Sequence, residues 1–200
     1  VKREIAFFDF DGTITVKDTF LEFIKFSKGN LRFYLGFLFN SPYLVGYKIR
    51  LIPNQKAKEK VLQFFFKNTP VSVFNEQCEH FAEEVLPKLI RPKALEEIKK
   101  LKGENAIIVV VSASPENWIQ NWARKMGLEL LASKLEVHEG RITGNLLGKN
   151  CHGKEKVRRI MEKYSVSEFT TIYAYGDTKG DLDMMKLAHN SFYRPFRKPS

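Results

Sequence analysis

Two acids, Asp9 and Asp11, stand directly after a short apolar run, Ile5-Ala6-Phe7-Phe8, and lead into Gly12-Thr13. A strand that ends this way carries both carboxylates at its tip. The two-residue alternation puts Asp9 and Asp11 on one side and turns Phe10 the other way. Gly12 permits a tight turn where a Cβ would obstruct the backbone. Two like charges this close repel, so they call for a proton or a cation between them. A hard divalent ion with oxygen ligands, Mg²⁺ above all, meets that need. One carboxylate is then free to attack and the other to move protons. The plainer alternative is that the pair caps a helix or decorates a turn.

Two later runs end in a similar way. Ala106-Ile107-Ile108-Val109-Val110-Val111 is followed by Ser112-Ala113-Ser114-Pro115. Ile172-Tyr173-Ala174-Tyr175 is followed by Gly176-Asp177-Thr178-Lys179-Gly180-Asp181 and then a helix-like stretch from Leu182 to Ala188. Three buried-type strands with polar turns at their ends belong together at the carboxyl edge of a parallel sheet, where such folds bind ligands. Each residue also has a duller role open to it: a strand-end hydroxyl for Ser112, a helix cap for Asp181.

With these residues in view, the chain resembles the phosphohydrolases of the haloacid dehalogenase superfamily, in the branch that includes phosphoserine phosphatases. The resemblance spans Asp9 to Asp183, with four motifs in order. It implies that Asp9 is the nucleophile and Asp11 the general acid and base. It implies that Ser112 and the Ala113 amide hold the transferring phosphoryl group. It further implies a Mg²⁺ site made by Asp9, the Asp11 main-chain carbonyl and Asp177, with Asp181 supporting it from behind or holding a lysine. The lysine itself has two candidates in Cys151-His152-Gly153-Lys154-Glu155-Lys156-Val157. Lys156 is favoured, because the branch often places an apolar residue after this lysine; Lys154 is the alternative.

The expected activity is Mg²⁺-dependent hydrolysis of a small phosphorylated metabolite through an aspartyl-phosphate. The second acid argues against carbon–halogen hydrolysis, which needs only the nucleophile. Two alternatives are a receiver-like phospho-acceptor domain and a phosphoryl-transferring mutase. Receivers carry their acceptor on a middle strand and lack a large insertion after the first. In phosphoserine phosphatases an early acid receives the substrate amine, and Asp18 falls near that position. Their cap arginine binds the carboxylate, and Lys60 stands in that region here. Lysine can bind a carboxylate but lacks the planar two-bond geometry of arginine, which weakens the case for serine phosphate itself and leaves a phosphoserine-like metabolite open. An aromatic-rich cap suits a larger or partly apolar phosphomonoester.

The elements that must position these residues follow from the pattern of the chain. Its 200 residues suit one core with one inserted subdomain. Strand and helix alternate from residue 92 onwards, which predicts an α/β doubly wound parallel sheet. The expected division is a catalytic core of residues 1–16 and 92–200, with a helical cap of residues 17–91. Asp18 can cap a helix that ends near Gly29. Gln55–Lys67 and a stretch from Pro70 towards Leu86 also read as helices. Short strands are expected over 128–137 and 141–147, and a helix over 155–164.

Composition excludes several function classes. Cys78 and Cys151 form no disulfide framework or zinc spacing, and the four histidines, His80, His138, His152 and His189, have no ligand spacing. The net charge of +10 comes from dispersed lysines with no nucleic-acid motif, which argues against a nucleic-acid partner and fits attraction of an anionic substrate. Arg3-Glu4 leads at once into a strand, so no secretion signal is read and a cytoplasmic location is expected. The apolar stretch from Leu31 to Ile52 is interrupted at Asn40-Ser41-Pro42, and a spanning helix needs about 20 mostly apolar residues. It is read as two helices, with Pro42 opening the second, whose aromatic faces pack on each other or line a pocket. Peripheral membrane contact is the weaker reading.

Overall fold

The structure is a computed structural model that describes residues 3–197. Five parallel strands form its central sheet: β1 (Glu4–Phe8), β2 (Ile107–Pro115), β3 (Glu129–Ser133), β6 (Thr171–Gly176) and β7 (Asn190–Tyr193). Their order is β3-β2-β1-β6-β7, so β1 lies at the centre. The remaining strands, β4 (Leu135–His138) and β5 (Arg141–Leu146), form a separate antiparallel hairpin. Nine α-helices flank these strands in the described chain. Five lie between β1 and β2: α1 (Thr19–Phe39), α2 (Ser41–Lys48), α3 (Asn54–Phe66), α4 (Val71–Glu84) and α5 (Leu86–Leu89). Four follow: α6 (Pro92–Gly103), α7 (Gln120–Lys125), α8 (Lys154–Lys163) and α9 (Leu182–Met185).

The alternation along β1 explains the two-faced packing. Ala6 and Phe8 join one apolar cluster with Ile98 and Leu101 of α6 and Trp122 and Ala123 of α7. Ile5 and Phe7 face the opposite cluster with Ile160 of α8 and Met184 of α9. A strand buried on both faces reads as a continuous apolar run, as β1 and β2 do. The sheet is therefore α/β, parallel, with helices on both sides. β2 continues past the apolar run to Pro115 because an irregularity between Ser112 and Pro115 keeps it paired with β3.

The inserted helices account for most of the phenylalanines. The Phe23 ring stacks on Trp118 at 4.6 Å and meets Phe66, Phe74 and Phe81 at 5.4–5.5 Å. This places the insertion and the β2–α7 connection in one continuous core. The two chain segments that join sheet and insertion run side by side. Thr15 and Ile90 form an antiparallel bridge, Val16 N–H donates to the Leu89 carbonyl at 2.8 Å, and Arg91 N–H to that of Ile14 at 2.8 Å.

Asp18 does cap α1, accepting from Leu21 N–H at 3.2 Å. Helical structure resumes beyond Gly29, which breaks α1 with φ 76° and ψ 165°. Pro42 sits in the first turn of α2, as its fixed φ allows. The expected inward packing of the 31–52 stretch is met only in part. Phe33 and Phe37 turn towards the core, Phe37 with its ring 6.0 Å from Phe65. Leu31, Tyr34, Leu35, Leu38 and Phe39 stay exposed, because two helices joined by a short turn bury only the faces they turn to α3.

Candidate active site

β1, β2 and β6 end beside one another because they are neighbours in register, Phe8 opposite both Val110 and Tyr175. The next residue of each adds a polar group at the same edge. Asp9 is anchored by its own N–H to the Tyr175 carbonyl at 2.9 Å and is 6 % exposed. After it, Phe10–Ile14 form one wide turn in which Gly12 takes φ 84°.

Lys156, in the first turn of α8, points its ammonium into this edge. Its Nζ donates to Asp9 Oδ1 at 2.6 Å, to the Val111 carbonyl at 2.7 Å and to Asp181 Oδ1 at 2.8 Å. Burial alone would favour loss of its proton, but the carboxylates of Asp9 and Asp181 outweigh that and hold its pKa above the ordinary lysine range. Lys154 is exposed and makes no such contact. Of the two candidates, only Lys156 is brought to Asp9.

Asp9, Asp177 and Asp181 each offer a carboxylate oxygen within 4.8 Å of the others, and all three are buried. Burial pushes Asp9 up to about 7; Lys156 pulls the other way, and Asp181 and Asp11 add to the rise. Asp177 is also raised, by burial and then by Asp181, against the pull of Arg197. Three buried acids share only two cations among the described residues, Lys156 and Arg197, and stay short of positive charge, and their oxygens are hard donors. That donor set fits Mg²⁺.

Asp181 holds the lysine, one of the two roles expected of it. Its Oδ1 takes the lysine, and its Oδ2 accepts from the Thr178 N–H at 2.9 Å and hydroxyl at 2.8 Å, which closes the turn after β6. Asp11 departs from the cluster. Its Oδ1 accepts from Thr19 N–H at 2.6 Å and from the Thr19 hydroxyl at 2.5 Å, and its Oδ2 from Ser112 at 3.2 Å. The start of α1 thus draws the Asp11 carboxylate away from the trio.

Ser112 is fully buried and accepts from Ser114 N–H at 3.0 Å. Ala113 lines a cleft of about 440 Å³ above Asp9 and Asp11, with Asp18, Phe20 and Tyr47 on its insertion side. Asp18 serves two ends here: it caps α1 and it lines the cleft, and burial, then Asp11, push it up to about 6.

Lys60 is corrected by the structure. It is exposed, 3.3 Å from Gln63 Oε1, and lines no part of this cleft. Lys58 takes the inward place, its ammonium 2.8 Å from the Ala113 carbonyl. Burial lowers its pKa, while Asp11 and Asp18 oppose the fall. Residues two apart on a helix face different ways, so the helix phase decides which lysine points in.

Sequence reasoning passed over four further residues. Thr13 donates to Asp9 Oδ2 at 2.9 Å; it sits in the first motif, so its place there was a usable signal. Thr19 links Asp11 to the Trp118 indole, which donates to its hydroxyl at 3.1 Å. Arg197 donates to Asp177 Oδ2 at 2.6 Å from near the end of the described chain, with no motif to announce it. His152, exposed at the rim, lines the cleft, and partial burial followed by Lys156 lowers its pKa. Cys78 and Cys151 are buried free thiols whose pKa burial raises.

Gly12 permits the closeness of the first and last motifs. A Cβ at this position would lie 2.5 Å from Asp177 Oδ2, on a backbone with positive φ. Gly12→Ala is therefore expected to lose about 1–2 kcal/mol of stability from the backbone alone and to displace Asp177. Chemical denaturation reads the first effect, and loss of turnover the second. An unchanged variant would show that this edge yields more easily than its packing suggests.

The haloacid dehalogenase-like hydrolase family model matches residues 6–186. Among curated proteins, Protein CicA of Caulobacter vibrioides is 38% identical over 196 residues, covering 96% of this chain and 87% of that one. A Mycobacterium tuberculosis H37Rv protein, whose name reads probable phosphatase, is 27% identical over 98% of this chain and 70% of its own length. Among solved structures, a protein of unknown function from Bordetella pertussis Tohama I superposes with a TM-score of 0.82 at 20% identity, over 96% of this chain and 90% of that one. A phosphoserine phosphatase holding a phospho-aspartyl intermediate analogue has a TM-score of 0.70 at 19% identity, over 96% and 87%. These matches set aside the receiver reading: the chain belongs to the haloacid dehalogenase-like hydrolase family.

Proposed function

We propose that the chain is a Mg²⁺-dependent phosphatase that hydrolyses a phosphate monoester through an aspartyl-phosphate on Asp9. The observation that carries this reading is the placement of Asp9. It is a buried carboxylate at the tip of the central strand, paired with Lys156 at 2.6 Å, with Asp11 two residues away at the same cleft. The phosphatase name of the mycobacterial relative and the fold shared with a phosphoserine phosphatase support it. The same reading takes residues 17–91 as a cap over a core of residues 1–16 and 92–200.

Asp9 and Asp177, with the Asp11 carbonyl, would hold the metal, and Asp181 would stand behind them holding Lys156. When bound, Mg²⁺ supplies positive charge that lets an anionic carboxylate approach an anionic phosphoryl group. Asp9 attacks phosphorus, and the bond from phosphorus to the ester oxygen breaks. Asp11 gives its proton to the departing oxygen. It then takes a proton from the water that attacks phosphorus and frees Asp9. Ser112, the Ala113 amide and Lys156 hold the phosphoryl oxygens, so positioning and charge supply the catalysis. Thr19 keeps the Asp11 carboxylate turned to the cleft side, away from the trio.

Purified protein is expected to release phosphate from an aryl phosphate near neutral pH with Mg²⁺ and to lose that activity to a chelator. Chelator-resistant turnover, or none on any phosphate ester with the fold intact, would count against the reading. A screen of phosphorylated metabolites would then identify the substrate.

A further inference from the structure

The second half of α1, α2 and the loop to α3 present an apolar face that nothing in the fold covers. Leu31, Tyr34, Leu35 and Leu38 recur at helical spacing on one side of α1, and Leu31 is 74 % exposed and Leu38 66 %. Phe39, 68 % exposed, extends the face to Phe64 of α3, ring to ring at 6.1 Å. Val45 and Ile49 continue it, and Leu51 ends it at 77 % exposure. An exposed apolar patch of this extent marks an interaction surface.

Charge identifies what covers it. Between Glu22 and Glu59 the chain has no acidic residue but seven basic ones, of which Lys25, Lys28, Arg32, Lys48, Arg50 and Lys56 stand outside the cleft that Lys58 enters. A second copy of the chain docked here by twofold symmetry would set one cationic surface against another. An anionic bilayer complements both properties, taking the leucines and aromatics below the headgroups and the lysines and arginines among them. No described helix is long and apolar enough to cross a membrane, so the face would lie on the surface. α2 borders both this face and the active-site cleft: Val45 and Ile49 carry the face, and Tyr47 lines the cleft.

We propose that this face docks on an anionic lipid surface and presents the cleft to a phosphomonoester carried by a lipid. The docking stands on the face itself; the substrate class rests on the phosphatase reading. It reverses the expectation from sequence that membrane contact is the weaker reading, and it gives the aromatic-rich insertion a role.

The test uses the full chain and vesicles of phosphatidylcholine, with or without about one-third phosphatidylglycerol. Sedimentation with the anionic vesicles is expected, and little with the neutral ones. Arg32→Ala and Arg50→Ala should each weaken binding about fivefold. The double variant Leu38→Glu, Leu51→Glu should weaken it by at least about tenfold, with unchanged circular dichroism and unchanged hydrolysis of a soluble aryl phosphate. Phosphatidate in the anionic vesicles should be cleaved by the wild type and spared by the double variant. Equal binding to both vesicle types, no binding, or a dimer that the double variant dissociates would overturn the docking. Cleavage of aryl phosphate with phosphatidate left intact would overturn the lipid substrate. Failure on both esters would strike the phosphatase reading alone, since sedimentation still judges the face.

Discussion

Asp9→Asn is expected to fold like the wild type and to lose turnover by about 10⁴-fold or more, the scale seen when a covalent catalytic group is removed. The amide is nearly the same size as the carboxylate, and its oxygen can still accept from Lys156, which lies 2.6 Å from Oδ1 in the wild type. It cannot form the acyl-phosphate bond. Asp11→Asn should lose less, about 10²–10⁴-fold, the range for a general acid and base. Its remaining oxygen can still accept from Thr19, whose N–H is 2.6 Å from Oδ1. Beryllofluoride separates the two roles. The wild type and Asp11→Asn should form the phosphate-like adduct in the presence of Mg²⁺, and Asp9→Asn should not. An adduct that persists in Asp9→Asn would move the nucleophile elsewhere.

Lys156→Ala should be the costliest change outside Asp9, and Lys154→Ala close to silent. Lys156 is 1 % exposed and is the cation shared by Asp9 and Asp181. Its removal leaves two buried carboxylates within 4.8 Å of each other without their common partner. Breaking a buried ion pair from one side costs about 3–5 kcal/mol of stability. The transition state loses one partner for the phosphoryl charge as well, on the scale of a missing oxyanion donor, about 3–4 kcal/mol. Lys156→Met retains more of the buried volume and tests the charge with less disturbance to packing. Denaturation midpoints and single-turnover rates measure the two losses. A large rate loss in Lys154→Ala, with Lys156→Met active, would exchange their roles.

The features legible in the sequence are those fixed by neighbours along the chain. The apolar runs of β1, β2 and β6 each belong to one strand, and the breaks at Gly29 and Pro42 act on their own residues. Asp18 caps its own helix for the same reason. What escaped depends on contacts across the fold. Three lysines at 56, 58 and 60 have the same local chemistry, and only the packing of α3 turns Lys58 to the Ala113 carbonyl. The Asp11 carboxylate lies two residues from Asp9, yet Thr19 of the insertion settles where it points. Arg197 reaches Asp177 over a separation of 20 residues, along a path with no periodicity to read. The phenylalanines marked the insertion as aromatic, but their count could not tell the buried Phe23 from the exposed Phe39.

The bridge between Thr15 and Ile90 has a consequence for how such a protein can change over generations. The chain leaves the sheet and returns to it at adjacent points, stitched by the Val16–Leu89 and Arg91–Ile14 hydrogen bonds at 2.8 Å. A graft that keeps Thr19, the partner of the Asp11 carboxylate, can alter the rest of residues 17–89 and leave the register of β1 with β2 undisturbed. The helices can therefore be lengthened, shortened or exchanged while the acids stay where they are. A second requirement travels with any replacement: it must bring an aromatic or aliphatic side chain to cover Trp118, as Phe23 does here at 4.6 Å. The insertion can thus change around two fixed points, Thr19 and the plug over Trp118.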